Sequence, residues 1–253
     1  MINKLIIRVV CIIAFINIFA IQANASPVIR WGLHHEKPGE IPIGNASSDY
    51  LESYNAFFYG KSQGNEKVLF LTFDAGYENG HTEKILDVLK EKNVPASFFL
   101  VGNYLKEHPD IVKRKVEEGH IIGNHTMSHA DMSKKDPESF ASELRKFEEA
   151  YKDVVGLELK KYYRPPEGVF NESNLSTTNS IGYKTVLWSV AYADWDNKKQ
   201  PSREYAFEKL IPRLHDGAIL LLHSTSRTNA EILPEFIDKC HEMGYSFKSL
   251  DEI

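Results

Sequence analysis

The 253-residue chain has 30 Lys and Arg residues against 35 Asp and Glu, a formal net charge of −5, and 42% of its residues are hydrophobic. This composition supports one compact domain with its own core. The acidic balance argues against binding to a phosphate backbone, so we expect no nucleic-acid partner.

The first 25 residues differ in composition from the rest of the chain. Lys4 and Arg8 precede an apolar run from Val9 to Ile21, and Ala23-Asn24-Ala25 follows that run. This order is typical of a secretory signal peptide, here cleaved after Ala25. A membrane anchor is the alternative, but the run is shorter than the roughly 20 residues of a bilayer span. We therefore predict an exported, extracytoplasmic protein.

Cleavage at this point would change two properties of the mature chain. Loss of Lys4 and Arg8 leaves 28 basic against 35 acidic residues, which is a net charge of −7. Loss of Cys11 leaves Cys240 as the single cysteine, so no internal disulfide could form. An exported domain of this kind depends on its hydrophobic core, which a chain of this length can supply.

Residues 26–66 are rich in Pro, Gly, Ser and Asn, and they predict an irregular arm that packs on the domain. From Lys67 onward, strand and helix patterns alternate. The predicted strands are 68–73, 96–101, 120–123, 161–164, 184–189, 218–222 and 245–248. The predicted helices are 80–92, 104–118, 137–154, 171–180, 203–213 and 229–243.

Repeated strand–helix units require a mainly parallel sheet with helices outside it. With seven strands we predict an α/β fold, a distorted (β/α) barrel, although periodicity alone also permits an open doubly wound sheet. The predicted divisions are a signal peptide at 1–25, the arm at 26–66 and the α/β domain at 67–253. No glycine-rich phosphate-binding loop follows the first strand, so we expect no nucleotide cofactor.

Polar residues follow the ends of five predicted strands. In parallel α/β folds the catalytic groups collect at the carboxyl ends of the strands, so these side chains are expected to meet. They are Asp74, His125, His129, Arg164, Asp194 and His223.

The two histidines lie four residues apart, which places them on one face if the segment is helical. His125 and His129 could then give two neutral nitrogens to a transition metal, although most histidines are surface residues. Asp74 can act as a general base that takes a proton from water, or it can simply cap the next helix.

Arg164 precedes the stiff turn Pro165–Gly168, which fixes its direction. Its guanidinium can keep a carboxylate ionised, or it can form a structural salt bridge. A carboxylate such as Asp194 would favour the protonated form of His223, which could donate a proton to a leaving amine. A satisfied core histidine is the other interpretation.

Five residues are assigned to substrate binding. Trp188 and Trp195 suit stacking on a sugar face, although core packing is the commoner use of tryptophan. Gly76 allows the backbone to approach a substrate closely. Tyr77 and Pro166 lie beside the catalytic motifs and are included in the same predicted site.

Five ordered motifs resemble those of the NodB-like polysaccharide deacetylases, and the resemblance covers about residues 66–253. The spore-cortex enzymes that deacetylate N-acetylmuramic acid on the way to muramic δ-lactam look most similar. The motifs are Thr72-Phe-Asp-Ala-Gly76, His125-Thr-Met-Ser-His129, Arg164-Pro-Pro-Glu-Gly168, Asp194-Trp195 within Trp188-Ser-Val-Ala-Tyr-Ala-Asp-Trp195, and Leu221-Leu-His223.

The resemblance implies a role for each polar residue. Asp74 would be the base with Arg164 as its partner, and His223 would be the acid assisted by Asp194. The histidine pair would hold a divalent metal, usually zinc. The implied reaction is hydrolysis of the N-acetyl group of a peptidoglycan amino sugar in the cell wall or the space around a forespore. The implied partner is the glycan strand, and we expect a monomer.

One position departs from the family pattern. The family has a second aspartate directly after the base, where it is the third metal ligand, and this chain has Ala75. The metal site could be weak and completed by water, could use Glu78 or His81 instead, or could be absent. A milder departure is Ala191, where the family often has an aspartate three residues before Asp194.

Three other functions remain open at this point. The chain could deacetylate N-acetylglucosamine or chitooligosaccharides, or it could be a catalytically silent glycan-binding protein. It could also be a glycosidase that uses Asp74 and Asp194, whose carboxyl groups would then lie roughly 5–9.5 Å apart.

Overall fold

The computed structural model describes residues 27–61 and 66–253. The predicted signal peptide and its cleavage site lie outside the described residues, as do Ser26 and residues 62–65 of the predicted arm. Within the described ranges, no helix has both the length and the apolar character needed to cross a membrane.

The described residues form short strands and helices that alternate along the chain. The strands are β1 Ile29–Arg30, β2 Leu33–His34, β3 Ile43–Gly44, β4 Ala56–Phe57, β5 Lys67–Ala75, β6 Ala96–Leu100, β7 Ile121–Asn124, β8 Tyr162–Tyr163, β9 Val169–Phe170, β10 Lys184–Val186, β11 Val190–Ala191, β12 Ala218–His223 and β13 Tyr245–Phe247. The helices are α1 Ser48–Glu52, α2 Thr82–Lys92, α3 Gly102–Glu107, α4 Pro109–Glu117, α5 Pro137–Val155, α6 Glu172–Ser180, α7 Arg203–Leu210 and α8 Arg227–Glu242.

All seven predicted strands are present, and the helices follow the predicted order with two differences. The predicted helix 104–118 is two helices, because Pro109 has no N–H to continue α3 and instead begins α4. The predicted helix 203–213 changes at Ile211 to a 3₁₀ turn that contains Pro212. The predicted strand 184–189 is also shorter and ends at Val186.

The main sheet has the order β11-β12-β5-β6-β7-β8-β10-β4, with β13 also paired to β5, and its strand pairs are parallel. β10 and β11 lie towards opposite ends of this order, yet only residues 187–189 separate them. Four Cα steps span at most about 14 Å, so the two ends of the sheet must meet. The sheet is therefore curved into a barrel, as predicted.

The arm contributes to this closure. β4 pairs with β10, and Tyr59 forms an antiparallel bridge to Ala218 on β12. The backbone N–H of Gly60 also donates to the carbonyl of Gly217 at 2.8 Å. Composition predicted an irregular arm, whereas β2 and β3 pair with each other and β1 and β4 pair with domain strands far away in sequence. Local patterns carry no sign of such distant pairing.

Side chains alternate across β5 and define which residues face the inside of the barrel. Leu69, Leu71 and Phe73 pack in the large cluster shared with the outer helices. Val68 and Phe70 pack in an inner cluster made almost wholly of strand residues. Asp74 continues the inner series at the carboxyl end of the strand, so the period of two aims it into the mouth of the barrel.

Candidate active site

A cleft of about 1010 Å³ opens at the carboxyl ends of the barrel strands. Eight of the predicted site residues line it, and they come from β5, β12 and the loops after β5, β7, β10 and β11. These residues are Asp74, Gly76, Tyr77, His125, His129, Trp188, Trp195 and His223.

The other three predicted site residues lie behind the cleft wall. Arg164 and Asp194 are fully buried and reach the cleft through the residues that they contact. Pro166 was predicted to bind substrate, but it is buried and does not line the cleft. The next two residues of the same turn, Glu167 and Gly168, line the cleft instead.

Asp74 and Arg164 form a buried ion pair. Arg164 Nη1 donates to Asp74 Oδ1 at 2.7 Å, while its Nε and Nη2 donate to the carbonyls of Val186 and Leu187. The guanidinium carbon also lies 4.1 Å from the centre of the Phe99 ring. Burial alone would raise the pKa of Asp74, but the charge of Arg164 holds that pKa below its ordinary value. Asp74 is therefore ionised at neutral pH, as a general base must be.

His223 and Asp194 form a second pair, in which His223 on β12 is the neighbour of Asp74 on β5. His223 Nδ1 lies 2.7 Å from Asp194 Oδ1, and the backbone N–H of His223 donates to Oδ2 of the same carboxylate. Burial would lower the pKa of His223, but the charge and hydrogen bond of Asp194 raise it above its ordinary value. With Nδ1 held in this way, Nε2 is the ring nitrogen that can carry a proton to a group in the cleft.

Sequence reasoning missed Asn229, which lies behind this second pair on α8. Its side-chain Nδ2 donates both to Asp194 Oδ2 and to the carbonyl of His223, and its Oδ1 accepts a hydrogen bond from Tyr192. All of these polar groups are buried or half-buried. A lone asparagine in a helical pattern carries no signal of this kind, because the contact depends on how α8 packs against β12.

The two histidines come together without a helix. The segment from His125 to His129 is a loop, because Thr126 and His129 have positive φ angles of 69° and 54°. The two histidines were expected to share one face if this segment were helical, and the segment is not helical. The two imidazole rings nevertheless lie together, with their centres 4.8 Å apart. The side-chain oxygen of Thr126 accepts from the His129 backbone N–H at 2.9 Å and stabilises this tight loop.

The hydrogen bonds of His125 suit a metal ligand. Its Nδ1 lies 2.8 Å from the carbonyl of Arg164, which can only accept, so Nδ1 carries the proton and Nε2 offers a lone pair. Burial lowers the pKa of His125 to about 4, so the ring is neutral at pH 7. Nε2 lies 3.5 Å from Asp74 Oδ2, so its lone pair is at the acidic end of the cleft, where a cation would be favoured.

The fit to a metal is nevertheless incomplete. Among the described residues, no group of three or more His, Cys, Asp or Glu side chains is arranged to hold an ion. Ala75 lines the cleft where a third ligand would be expected from the family pattern, and its methyl group cannot coordinate. The histidine pair thus offers two nitrogens, one fewer protein ligand than catalytic zinc sites usually keep.

Glu78 and His81, the two residues considered as a replacement third metal ligand, are not positioned to coordinate an ion in the cleft. Glu78 Oε1 accepts from the backbone N–H groups at the start of α2, and Oε2 accepts from the hydroxyl of Tyr104 at 2.7 Å. These bonds outweigh burial and lower the pKa of Glu78 to about 2. His81 is the residue before α2, and neither side chain lines the cleft.

Aromatic side chains form the rim of the cleft. Trp195 is 60% exposed and its ring centre lies 6.4 Å from that of His223, while Tyr77 is 47% exposed. Asn197 donates to the hydroxyl of Tyr77 and links the two loops that carry these rings. Exposed rings of this size beside a polar site suit the apolar faces of sugars.

The arrangement can hydrolyse an amide. Asp74 can take a proton from water as a base, and the neighbouring His223 can protonate a leaving nitrogen as an acid. It does not suit a two-carboxylate glycosidase, because Asp194 is fully buried, is bonded to His223 and does not line the cleft.

Known proteins resemble this chain in sequence and structure. A family model described as polysaccharide deacetylase matches residues 61–186. The peptidoglycan-N-acetylmuramic acid deacetylase PdaA of Bacillus subtilis is 42% identical over 240 residues, which cover 92% of this chain and 89% of that protein. The peptidoglycan-N-acetylglucosamine deacetylase PgdA of Listeria monocytogenes is 33% identical over 193 residues, 76% of this chain and 40% of that protein.

Two solved structures share the fold. The structure of Bacillus subtilis PdaA, described as a family 4 carbohydrate esterase, matches with a TM-score of 0.84 and covers 89% of this chain and 96% of that one. A family 4 carbohydrate esterase from Bacillus anthracis matches with a TM-score of 0.73 and 42% identity, covering 89% of this chain and 95% of that one.

Proposed function

Because the chain belongs to the polysaccharide deacetylase family, we propose that it removes the N-acetyl group from N-acetylmuramic acid residues of peptidoglycan. The observation that carries this proposal is a pair of dyads, Asp74 with Arg164 and His223 with Asp194, whose members Asp74 and His223 line one cleft from adjacent strands. The similarity to PdaA along most of both chains supports the muramic sugar as the target.

Asp74 performs the first proton transfer. With Oδ1 held by Arg164, Oδ2 is the oxygen available to take a proton from a water that attacks the acetyl carbonyl. The low pKa of Asp74 keeps it charged, and the attack joins the water oxygen to the carbonyl carbon.

His223 completes the reaction. As the carbon–nitrogen bond breaks, Nε2 donates a proton to the sugar nitrogen, which leaves as an amine while the acetyl group leaves as acetate. Burial lowers the pKa of this imidazole, but Asp194 raises it above its ordinary value, which favours the charged form that the step requires. Asp194 itself acts as a positioning residue.

A divalent ion, zinc in our proposal, would be held by His125 and His129. When bound, such an ion supplies a Lewis acid that polarises the amide carbonyl. We propose that it binds weakly because Ala75 leaves the third ligand position without a donor.

We further propose that the protein works outside the cytoplasm after cleavage behind Ala25, in the cell wall or the space around a forespore. Peptidoglycan lies beyond the membrane, and the order of charges, apolar run and Ala23-Asn24-Ala25 supports export. Muramic residues without their acetyl group would then be the precursor of muramic δ-lactam in spore cortex.

The test uses mature protein, residues 26–253, and peptide-free glycan strands. We expect release of acetate and the loss of one acetyl mass from muramic residues, seen by mass spectrometry with and without a chelator. Asp74→Asn protein is the matched control and should release acetate about 10²–10⁴-fold more slowly. If only N-acetylglucosamine residues lose their acetyl group, then that sugar is the substrate. Absence of release with every divalent metal tried would sink the proposal and favour a glycan-binding protein.

A further inference from the structure

The charge of the cleft does not match that of the proposed substrate. Muramic residues carry a carboxylate on their lactyl group once the stem peptide is absent, so a peptide-free strand is anionic. Among the described residues, no Lys or Arg lines the cleft, and Asp74 and Glu167 are its acidic members. Apart from His223, the described side chains of the cleft offer no cation to the strand, so any Lys or Arg that binds it lies outside the cleft.

A second pocket of about 650 Å³ provides such cations. The arm contributes Arg30 and Asn45, and the segment after His129 contributes Ser133, Lys134 and the carboxylate of Asp131. Asn45 fixes the backbone of Arg30, because its Nδ2 donates to the Arg30 carbonyl at 2.5 Å. The pocket thus has one wall from the arm and one from the loop that carries the second histidine.

The second pocket adjoins the cleft through the turn after Arg164. Arg30 pairs with Val169, and the next backbone N–H, that of Trp31, donates to the Gly168 carbonyl at 2.8 Å. Gly168 lines the cleft, as does Glu167, whose Oε2 lies 3.8 Å from Arg30 Nη1. A strand that crosses this turn would pass from one pocket to the other.

Arg30 is available to a ligand. Its side chain is 67% exposed and that of Glu167 is 71% exposed, and ion pairs between such groups contribute only about 0–1 kcal/mol. A substrate carboxylate can therefore replace Glu167 as the partner of Arg30, with the bidentate geometry that a guanidinium offers. Lys134, which is 77% exposed, lies at the same pocket but is paired with Asp131 at 3.2 Å, so Arg30 is the cation on which the proposal depends.

We propose that the second pocket is a subsite for a flanking muramic residue, the next one along the strand beyond an intervening N-acetylglucosamine, and that Arg30 binds its lactyl carboxylate. The inference rests on the proposed function. The flanking residue is favoured because Asp74 and His223 do not line this pocket. The lactyl group of the reacting sugar, attached beside its acetamido carbon, would stay within the cleft.

The test measures binding and turnover separately. Binding of peptide-free strands is titrated in the Asp74→Asn background with Arg30 intact or changed to Ala, and KM and kcat are measured in otherwise unaltered protein. We expect Arg30→Ala to raise Kd and KM about 5–10-fold and to leave kcat unchanged. A tenfold change corresponds to about 1.4 kcal/mol. Lys37→Ala is the matched control, an exposed arm cation paired with Glu40, and should change neither constant.

Two substrate changes identify the ligand. Strands whose lactyl carboxylates are methyl-esterified should bind with the same Kd to protein with Arg30 intact and to Arg30→Ala protein. A disaccharide with a single muramic residue should also show no difference between the two proteins. An equal Kd for the two variants on long anionic strands would overturn the subsite, and so would an Arg30 effect that persists on the ester. An Arg30-dependent Kd without any acetate release from unaltered protein would instead reject the proposed function and keep the subsite.

Discussion

Asp74 and His223 are register partners on the adjacent parallel strands β5 and β12. Neighbouring strands lie about 4.8 Å apart, so the sheet itself places the proposed base and acid side by side. Each has its own buried partner of opposite charge, Arg164 for the first and Asp194 for the second. These partners favour the charged forms against the effect of burial, and the two neighbours add to this, since His223 also lowers the pKa of Asp74 and Asp74 also raises the pKa of His223.

The first prediction concerns the base. Asp74→Asn keeps the shape of the side chain and removes the negative charge, so water loses its proton acceptor. We expect kcat to fall by about 10²–10⁴-fold, the usual contribution of a general base, with little change in KM. Initial rates of acetate release check this, with Asp49→Asn on the arm as a control that leaves kcat unchanged.

The second prediction concerns the buried ion pair. Arg164→Met would leave the Asp74 carboxylate without its partner in a buried site, which costs about 3–5 kcal/mol of unfolding free energy. Urea denaturation at neutral pH measures this loss. Arg164→Met combined with Asp74→Leu should recover a large part of it. Equal stability of the single and double variants would show that the pair is not coupled.

The third prediction concerns pH. The pKa of His223 is raised by Asp194, so its acid function is present below that pKa and is lost as pH rises through it. Asp194→Asn removes the charge that raises the pKa and leaves burial, which lowers it. The alkaline limb of the kcat–pH profile should therefore move to lower pH. An unchanged alkaline limb in Asp194→Asn would contradict the role of His223 as the acid.

The order of motifs was enough to predict the family, the hydrolase class and the barrel, and the 42% identity to PdaA and the closed sheet confirm them. The sequence reveals where a strand ends, as at Asp74 and His223, because an apolar run stops there at a polar residue. The register that pairs them is not visible, since it depends on strands that lie far apart in sequence.

Other features depend on packing or on backbone shape. Asn229 reaches Asp194 only through the placement of α8, and Arg30 reaches the cleft rim only because β1 pairs with β9. The His125–His129 loop was taken as a possible helix because the spacing of four is shared by both conformations. Positive φ at Thr126 and His129 leaves no mark in the residue types.

The fourth prediction concerns Asn229 as a positioning residue. Asn229→Ala removes the donors to Asp194 Oδ2 and to the His223 carbonyl, so the dyad loses its fixed orientation. We expect kcat to fall about tenfold while KM is unchanged, together with a loss of about 1–3 kcal/mol for the buried groups left unpaired. Asn174→Ala is the control, because Asn174 is equally buried and bonded to the Met132 carbonyl. It should lose similar stability but keep kcat.

The fifth prediction concerns the metal. Ala75→Asp would place a carboxylate in the cleft beside a histidine pair that offers two nitrogens, so binding of zinc should tighten. Loss of an outer-shell contact alone changes metal affinity by roughly 10–100-fold, and a direct ligand is expected to contribute at least that much. Calorimetric titration with Zn²⁺ at pH 7 measures the change, since His125 is neutral there. Ala191→Asp, which adds the same charge outside the cleft lining, should bind zinc as the unaltered protein does. Equal affinity of Ala75→Asp and unaltered protein would show that another group already serves as the third ligand.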